Sequence, residues 1–222
     1  MNRLFGITLG IVAFLVALTV HEYCHALVAY LMGDETARRA GRLTLNPMAH
    51  ADMVGTILIP FVGAVSGLPM IGWAKPVPYN PYNLVNQKWG SVVVALAGPI
   101  ANFILALVAL IVVKLSLAVI GLPVYNLLVV FMVILATTNI FLGLFNFIPV
   151  HPLDGAKLLN AILDHPRYRR LLFFLETRGP VILLVIVLLD YVSPVPILGT
   201  IFGLGLYAAF SIFGLQHLLG VI

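Results

Sequence analysis

Leu4-Phe5-Gly6-Ile7-Thr8-Leu9-Gly10-Ile11-Val12-Ala13-Phe14-Leu15-Val16-Ala17-Leu18-Thr19-Val20-His21-Glu22-Tyr23-Cys24-His25 runs from seventeen uncharged residues directly into three ionisable ones on a single turn. On an α-helix His21 and His25, at i and i+4, share a face. Glu22 is offset by about 100° from His21 and about 60° from His25, close enough to touch a water on a metal that both histidines hold. His-Glu-x-x-His on a helix is the pattern in which two imidazoles ligate zinc and the glutamate serves as general base. Five residues with two free positions recur by chance, so the setting carries the weight. A charged side chain near a bilayer centre costs about 2.5 kcal/mol or more, and three ionisable groups on one turn there mark a functional site. The competing reading is that the histidines only cross-link neighbouring helices through hydrogen bonds.

Composition places the chain in a membrane. Of its 222 residues 62% are hydrophobic and 9% charged, against roughly 45–50% and 25% in an ordinary soluble domain. Several windows reach the ~20 apolar residues needed to cross a hydrocarbon core of about 30 Å, where backbone groups must be bonded internally and helices are the default. One cysteine, Cys24, excludes an intrachain disulfide. The formal charge of +4 is small and the basic residues fall in loops, so the expected partner is the lipid bilayer and not nucleic acid. The first apolar run continues past the motif to Met32, longer than a signal h-region and without a small-x-small cleavage site, and reads as retained.

The expected fold is a single all-α, multi-pass membrane domain over residues 1–222. About five or six transmembrane helices are drawn from apolar segments at 4–32, 53–72, 90–119, 125–148, 169–191 and 197–219, with a short helix near 153–163. Arg42-Leu43-Thr44-Leu45 alternates as a short strand that Asn46-Pro47 stops, and the proline-rich stretch 74–80 reads as an extended or edge strand. The basic loops, with Arg38, Arg39 and Arg42, then Lys75 and Lys88, then Arg167, Arg169 and Arg170, belong on the cytoplasmic side. That topology needs 53–72 to be re-entrant, which suits its Gly55, Pro60, Gly63, Gly67 and Pro69, and needs 125–163 to cross once as a broken helix.

Catalytic zinc takes three protein ligands and leaves a fourth position open. Asp52 and Asp154 border apolar segments, whereas Asp34, Glu35, Asp164 and Glu176 sit among charged loop residues. Asp154 lies in Asn146-Phe147-Ile148-Pro149-Val150-His151-Pro152-Leu153-Asp154-Gly155, where two prolines break the helix. A carboxylate on such backbone at membrane depth requires surrounding protein or a water-filled cavity. Asp154 is the expected third ligand, and His151 stands as an alternative. Cys24 points off the histidine face and is read as packing; His50, His165 and His217 are read as solvated or interfacial.

At these residues the chain resembles the site-2 proteases, polytopic intramembrane metalloproteases. His21-Glu22-x-x-His25 matches their zinc motif and Pro152-Leu153-Asp154-Gly155 their Asp-Gly motif, although Leu153 stands where a proline is frequent. Gly98-Pro99-Ile100-Ala101-Asn102 is similar to a Gly-x-x-x-Asn motif of the intervening helix, where close packing is an equal reading for Asn102. Asn146 matches an asparagine that contacts substrate or the oxyanion. Residues 41–47 and 72–78 look like the family's membrane-associated strands, and the resemblance covers about 5–165, the expected catalytic core, with additional helices over 169–219. With no stretch resembling a PDZ or CBS domain, the chain is similar to the compact prokaryotic subgroup, which implies the inner membrane.

The resemblance implies one Zn2+ per chain held by His21, His25 and Asp154, with Glu22 as base and Asn146 beside the oxyanion. Its substrates would be transmembrane segments of other proteins, which the strands near 42–46 and 74–80 pair by β-addition. Two rivals stand beside it: a metal transporter or metal-sensing membrane protein, and a non-catalytic protease homologue.

Overall fold

The computed structural model describes residues 3–66 and 72–220. Among the described residues eight α-helices follow in order: α1 Arg3–Leu31, α2 Thr36–Arg39, α3 Ile59–Ser66, α4 Gln87–Ala118, α5 Leu127–Asn146, α6 Gly155–Ile162, α7 Arg169–Val192 and α8 Ile197–Ile212. Of these, α1, α4, α5 and α7 are long and apolar enough to cross a membrane. The expected count of five or six is not reached among the described residues: four helices are long enough, and α8, at 16 residues, is shorter than a span.

The bundle is built on α4, which packs against α1, α5 and α6, while α1 also meets α5 and α8 lies on α5. Lipid tails give no hydrophobic drive for helix association, so close approach through small side chains matters. Ala13, Ala17, Ala106, Ala109 and Ala136 are all buried at these contacts, and Leu110, Val113, Val133 and Phe210 fill the space around them. By contrast α7 is peripheral: its buried residue is Gly179, and it reaches α8 through Asp190, which accepts from Leu198 N at 2.7 Å and Gly199 N at 3.0 Å and so caps that helix.

The three basic loops meet at one end of the bundle. Gly33, with φ +101°, ends α1 in a Schellman turn in which Asp34 N donates to Ala29 O. Asp34, fully buried, then accepts from Thr36 N and Oγ1, Asn80 N and Asn83 Nδ2, tying the first loop to the second. Lys88 pairs with Asp164 at 3.1 Å and brings the third loop alongside. One shared basic face agrees with the expected topology.

So does the stretch 53–66. It forms a π-helical turn, Met53–Leu58, and then α3, which at eight residues is about 12 Å long and cannot span a bilayer. Trp73 N donates to Gly55 O and Thr56 Oγ1 to Trp73 O, so the chain returns to where the stretch began. Gly67 and Pro69, counted among its helix breakers, lie outside the described residues.

Neither expected strand is present among the described residues. Over 42–46 the chain bends back on itself: Arg42 Nη1 donates to Ala49 O, and His50 Nε2 to Thr44 O at 2.8 Å. His50 is therefore fully buried, not solvated as expected. The segment 74–80 is extended, but Pro76 and Pro78 have no N–H and Lys75 N is given to His50 O, so no ladder forms. His165 and His217 are exposed as expected.

Burial opposes ionisation of Asp34, and the hydrogen bonds from Thr36, Asn83 and Asn80 outweigh it, holding its carboxyl below the usual carboxylate range. A depressed folded-state value stabilises the fold above the unfolded value of about 3.9 and stops doing so as pH falls through the folded one. Asp34→Ala is expected to cost about 2–3 kcal/mol at neutral pH. In thermal unfolding of the detergent-solubilised protein, the gap between wild type and variant should close on acidification below about pH 4.

Candidate metal centre

α1 carries His21 and His25 on the face turned to α4. His21 lies ten residues before the end of the helix, about 15 Å along its axis and hence deep in a bilayer. Two imidazoles fit between the helices because residue 98 is glycine. A Cβ there would stand 2.6 Å from His21 Cε1 and 2.7 Å from His21 Nε2, with His25 Nε2 closer still. Pro99 follows within the helix.

The broken helix supplies the third group. α5 ends at Asn146, the chain turns through 147–154, and α6 begins at Gly155. The turn closes tightly because a Cβ on Gly155 would lie 2.7 Å from Ile148 O and nearer to Phe147 O. Asp154 holds the N-cap position of α6 but makes no capping hydrogen bond. Its Oδ2 instead lies 3.1 Å from His21 Nε2 and 3.3 Å from His25 Nε2, and neither contact has hydrogen-bond geometry. The two Nε2 atoms are 3.0 Å apart.

Protonation on these rings follows from their other nitrogens. His25 Nδ1 lies 2.7 Å from Val94 O, which only accepts, so Nδ1 carries a proton and, in the neutral ring that ligates a metal, Nε2 keeps its lone pair. His21 Nδ1 meets Asn102 Oδ1 at 2.6 Å, with the same result. Two lone pairs and a carboxylate oxygen thus face one point. A single proton satisfies one pair of these atoms, whereas a metal ion satisfies all three, so the donor set fits a cation. Two nitrogens and one carboxylate oxygen are an established catalytic zinc set, and the Nδ1–H bonds to carbonyl-type oxygens are the outer contacts that orient such ligands.

His21, Glu22 and His25 are buried, and although the Asp154 side chain keeps 21% of its surface, the Oδ2 that faces the histidines is itself buried. His21, His25 and Asp154 are the one group of three or more potential ligands that comes together among the described residues. His151 does not join it: its backbone carbonyl and Cβ lie against Gly179 of α7, and its Nε2 is buried without a partner. Asn146 ends α5 with its amide donating to Leu142 O at 2.9 Å, one turn back. Asp52, the other apolar-bordering carboxylate, caps the turn at Met53 by accepting from Val54 N and Gly55 N. Asn139 was missed by the sequence reading. It is fully buried and joined to Asn102, and the signal for it was an asparagine alone in the apolar run 127–145.

Comparison with known proteins identifies the family. The family model described as Peptidase family M50 matches residues 9–122 and 118–189. The chain is 36% identical over 179 residues to "Putative zinc metalloprotease YwhC" of Bacillus subtilis, covering 79% of this chain and 78% of that protein. It is 28% identical over 208 residues to "Putative zinc metalloprotease Rip2" of Mycobacterium tuberculosis, covering 93% of this chain and 74% of that one. No solved structure matches it. A matched family model over most of the chain, and a relative of this identity sharing most of its length, place the protein in peptidase family M50, the family of the site-2 proteases.

Proposed function

We propose that this peptidase is an intramembrane zinc metalloprotease in which His21, His25 and Asp154 hold one zinc ion, Glu22 is the general base and Asn146 a substrate contact. The observation that carries the reading is the meeting of two imidazole Nε2 atoms and a carboxylate oxygen within 3.0–3.3 Å, in a chain whose relatives are named zinc metalloproteases. A zinc ion there supplies Lewis acidity toward a scissile carbonyl and brings the pKa of water toward ~7. Glu22, next to His21 on the same turn, takes the proton from the attacking water and delivers it to the leaving amine. Asn146 Nδ2 has a second N–H beyond the one given to Leu142 O, and that hydrogen serves the substrate carbonyl.

The substrates are transmembrane segments of other proteins, since the site sits at bilayer depth and a helix must unwind locally to expose an amide. The expected β-addition through 74–80 gains no support from the fold, because Pro76, Pro78 and the engaged Lys75 N–H leave no run of donors for a partner strand. A transporter would need ligands stacked along a path, and among the described residues there is one cluster. Glu22, intact beside the ligands, argues against a non-catalytic homologue. The shared basic face and the bacterial relatives support a prokaryotic cell membrane as its location, with these loops cytoplasmic.

Glu22→Gln is expected to keep one zinc per chain and to lose about 10²–10⁴-fold in cleavage of a membrane-spanning reporter. Metal analysis beside the cleavage assay checks both halves, and full activity would remove the mechanism. Gly98→Ala is expected to weaken zinc binding by at least about tenfold, because its Cβ displaces the rings. Gly10→Ala, with nothing within 4 Å of the added carbon, should leave zinc affinity unchanged in the same chelator competition.

A further inference from the structure

Behind the metal centre runs a directional chain of hydrogen bonds that no ligand role accounts for. Asn139 Nδ2 donates to Leu135 O at 2.8 Å. Because a backbone carbonyl only accepts, that contact turns Asn139 Oδ1 toward α4, where it receives Asn102 Nδ2 at 2.7 Å. Asn102 Nδ2 places its other hydrogen on Ala17 O of α1 at 3.1 Å. Both amide hydrogens are then committed, and Asn102 Oδ1 must face His21 Nδ1, 2.6 Å away. Asn102 and Asn139 are both fully buried, so neither has water as an alternative partner.

Polarity in this chain is fixed from its far end. Were Asn102 turned over, its oxygen would face two oxygens, Ala17 O and Asn139 Oδ1, and its NH2 would face His21. His21 would then accept at Nδ1 and carry its proton on Nε2, pointing an N–H at the shared point in place of a lone pair. A structural cross-link needs three helices joined but does not need this direction; a ligand tautomer does. We propose that Asn102 and Asn139 are positioning residues, which together hold His21 as the Nδ1–H tautomer with Nε2 aimed at the metal. Asn102 acts directly on the ring, and Asn139 acts through Asn102.

The inference rests on zinc ligation by His21, and its test separates the two. The full chain in detergent is titrated with zinc against a chromophoric chelator, with the visible spectrum of the Co2+-substituted protein and helix content recorded alongside. Wild type should bind one zinc. Asn102→Leu should bind it about 10- to 100-fold more weakly with an altered cobalt spectrum, and Asn139→Leu should shift affinity in the same direction by a smaller factor. Asn102→Asp keeps an acceptor for Nδ1 but sets its second oxygen against Ala17 O and Asn139 Oδ1, so it should bind zinc more tightly than Asn102→Leu and more weakly than wild type. Should Asn102→Leu fail to fold, Asn139→Leu, one bond further from the ring, carries the test alone. Folded variants with wild-type zinc affinity and cobalt spectrum, differing only in thermal stability, would reduce the pair to a helix cross-link and overturn the proposal. A wild type that binds no zinc would overturn ligation by His21 and the proposal with it.

Discussion

The approach of α1 to α4 at Gly98 is the contact on which the site depends. Helices at lipid depth gain little from burying apolar surface against one another, so they hold together through close packing and internal hydrogen bonds. Here the small residue at 98 leaves a gap the size of two imidazoles, and the polar edges of those rings supply the hydrogen bonds that a wholly apolar contact would lack. His25 bonds Val94 O and His21 bonds Asn102, so each histidine ties α1 to α4 through one nitrogen and keeps the other for the shared point. Structure and chemistry therefore use opposite sides of the same two rings.

Asp154 depends on a different device. A carboxylate on a continuous helix would be carried past the histidines by its own regular rise, and one in a loop at this depth would leave backbone groups unbonded. The break after Asn146 resolves this by being short and self-bonded. Ile148 N donates to Phe145 O, Leu153 N to Val150 O and Ala156 N to Leu153 O, so little of the break's backbone is left to solvent or lipid. Asp154 arrives at the head of α6 with its carboxylate uncommitted to capping, available to the histidines.

What the sequence disclosed follows from what each feature depends on. His21, Glu22 and His25 are legible because their geometry is set by helical spacing alone, and Asp154 because prolines and a glycine announce the break around it. The long helices were legible from apolar length. The strands expected at 42–46 and 74–80 were misjudged for a physical reason: alternation and extended backbone describe a strand's torsions, but pairing needs a partner edge. In this fold the available acceptors, Ala49 O, Thr44 O and His50 O, are taken by Arg42, His50 and Lys75. His50 reads as solvated because it lies in a loop between apolar segments, while its burial comes from the loop folding over it. Asn139 could not be assigned at all without knowing that it faces Asn102 across two helices.

The same loops that failed as strands bear on how the site is held in the membrane. Asp34 gathers donors from three residues of two loops, and Val85 N closes on Met32 O beside it, so the C-terminal end of α1 and the approach to α4 are fixed together. A rigid clamp at that end fixes the spacing of α1 and α4 one helix half-length away, where the rings must meet Asp154 within 3.1–3.3 Å. The peripheral α7, joined to the bundle by the Asp190 cap and the Gly179 contact with His151, is under no such constraint. Cross-helix hydrogen bonds are concentrated where the ligands are oriented, whereas α7, with Gly179 as its buried residue, meets the rest of the bundle at few points.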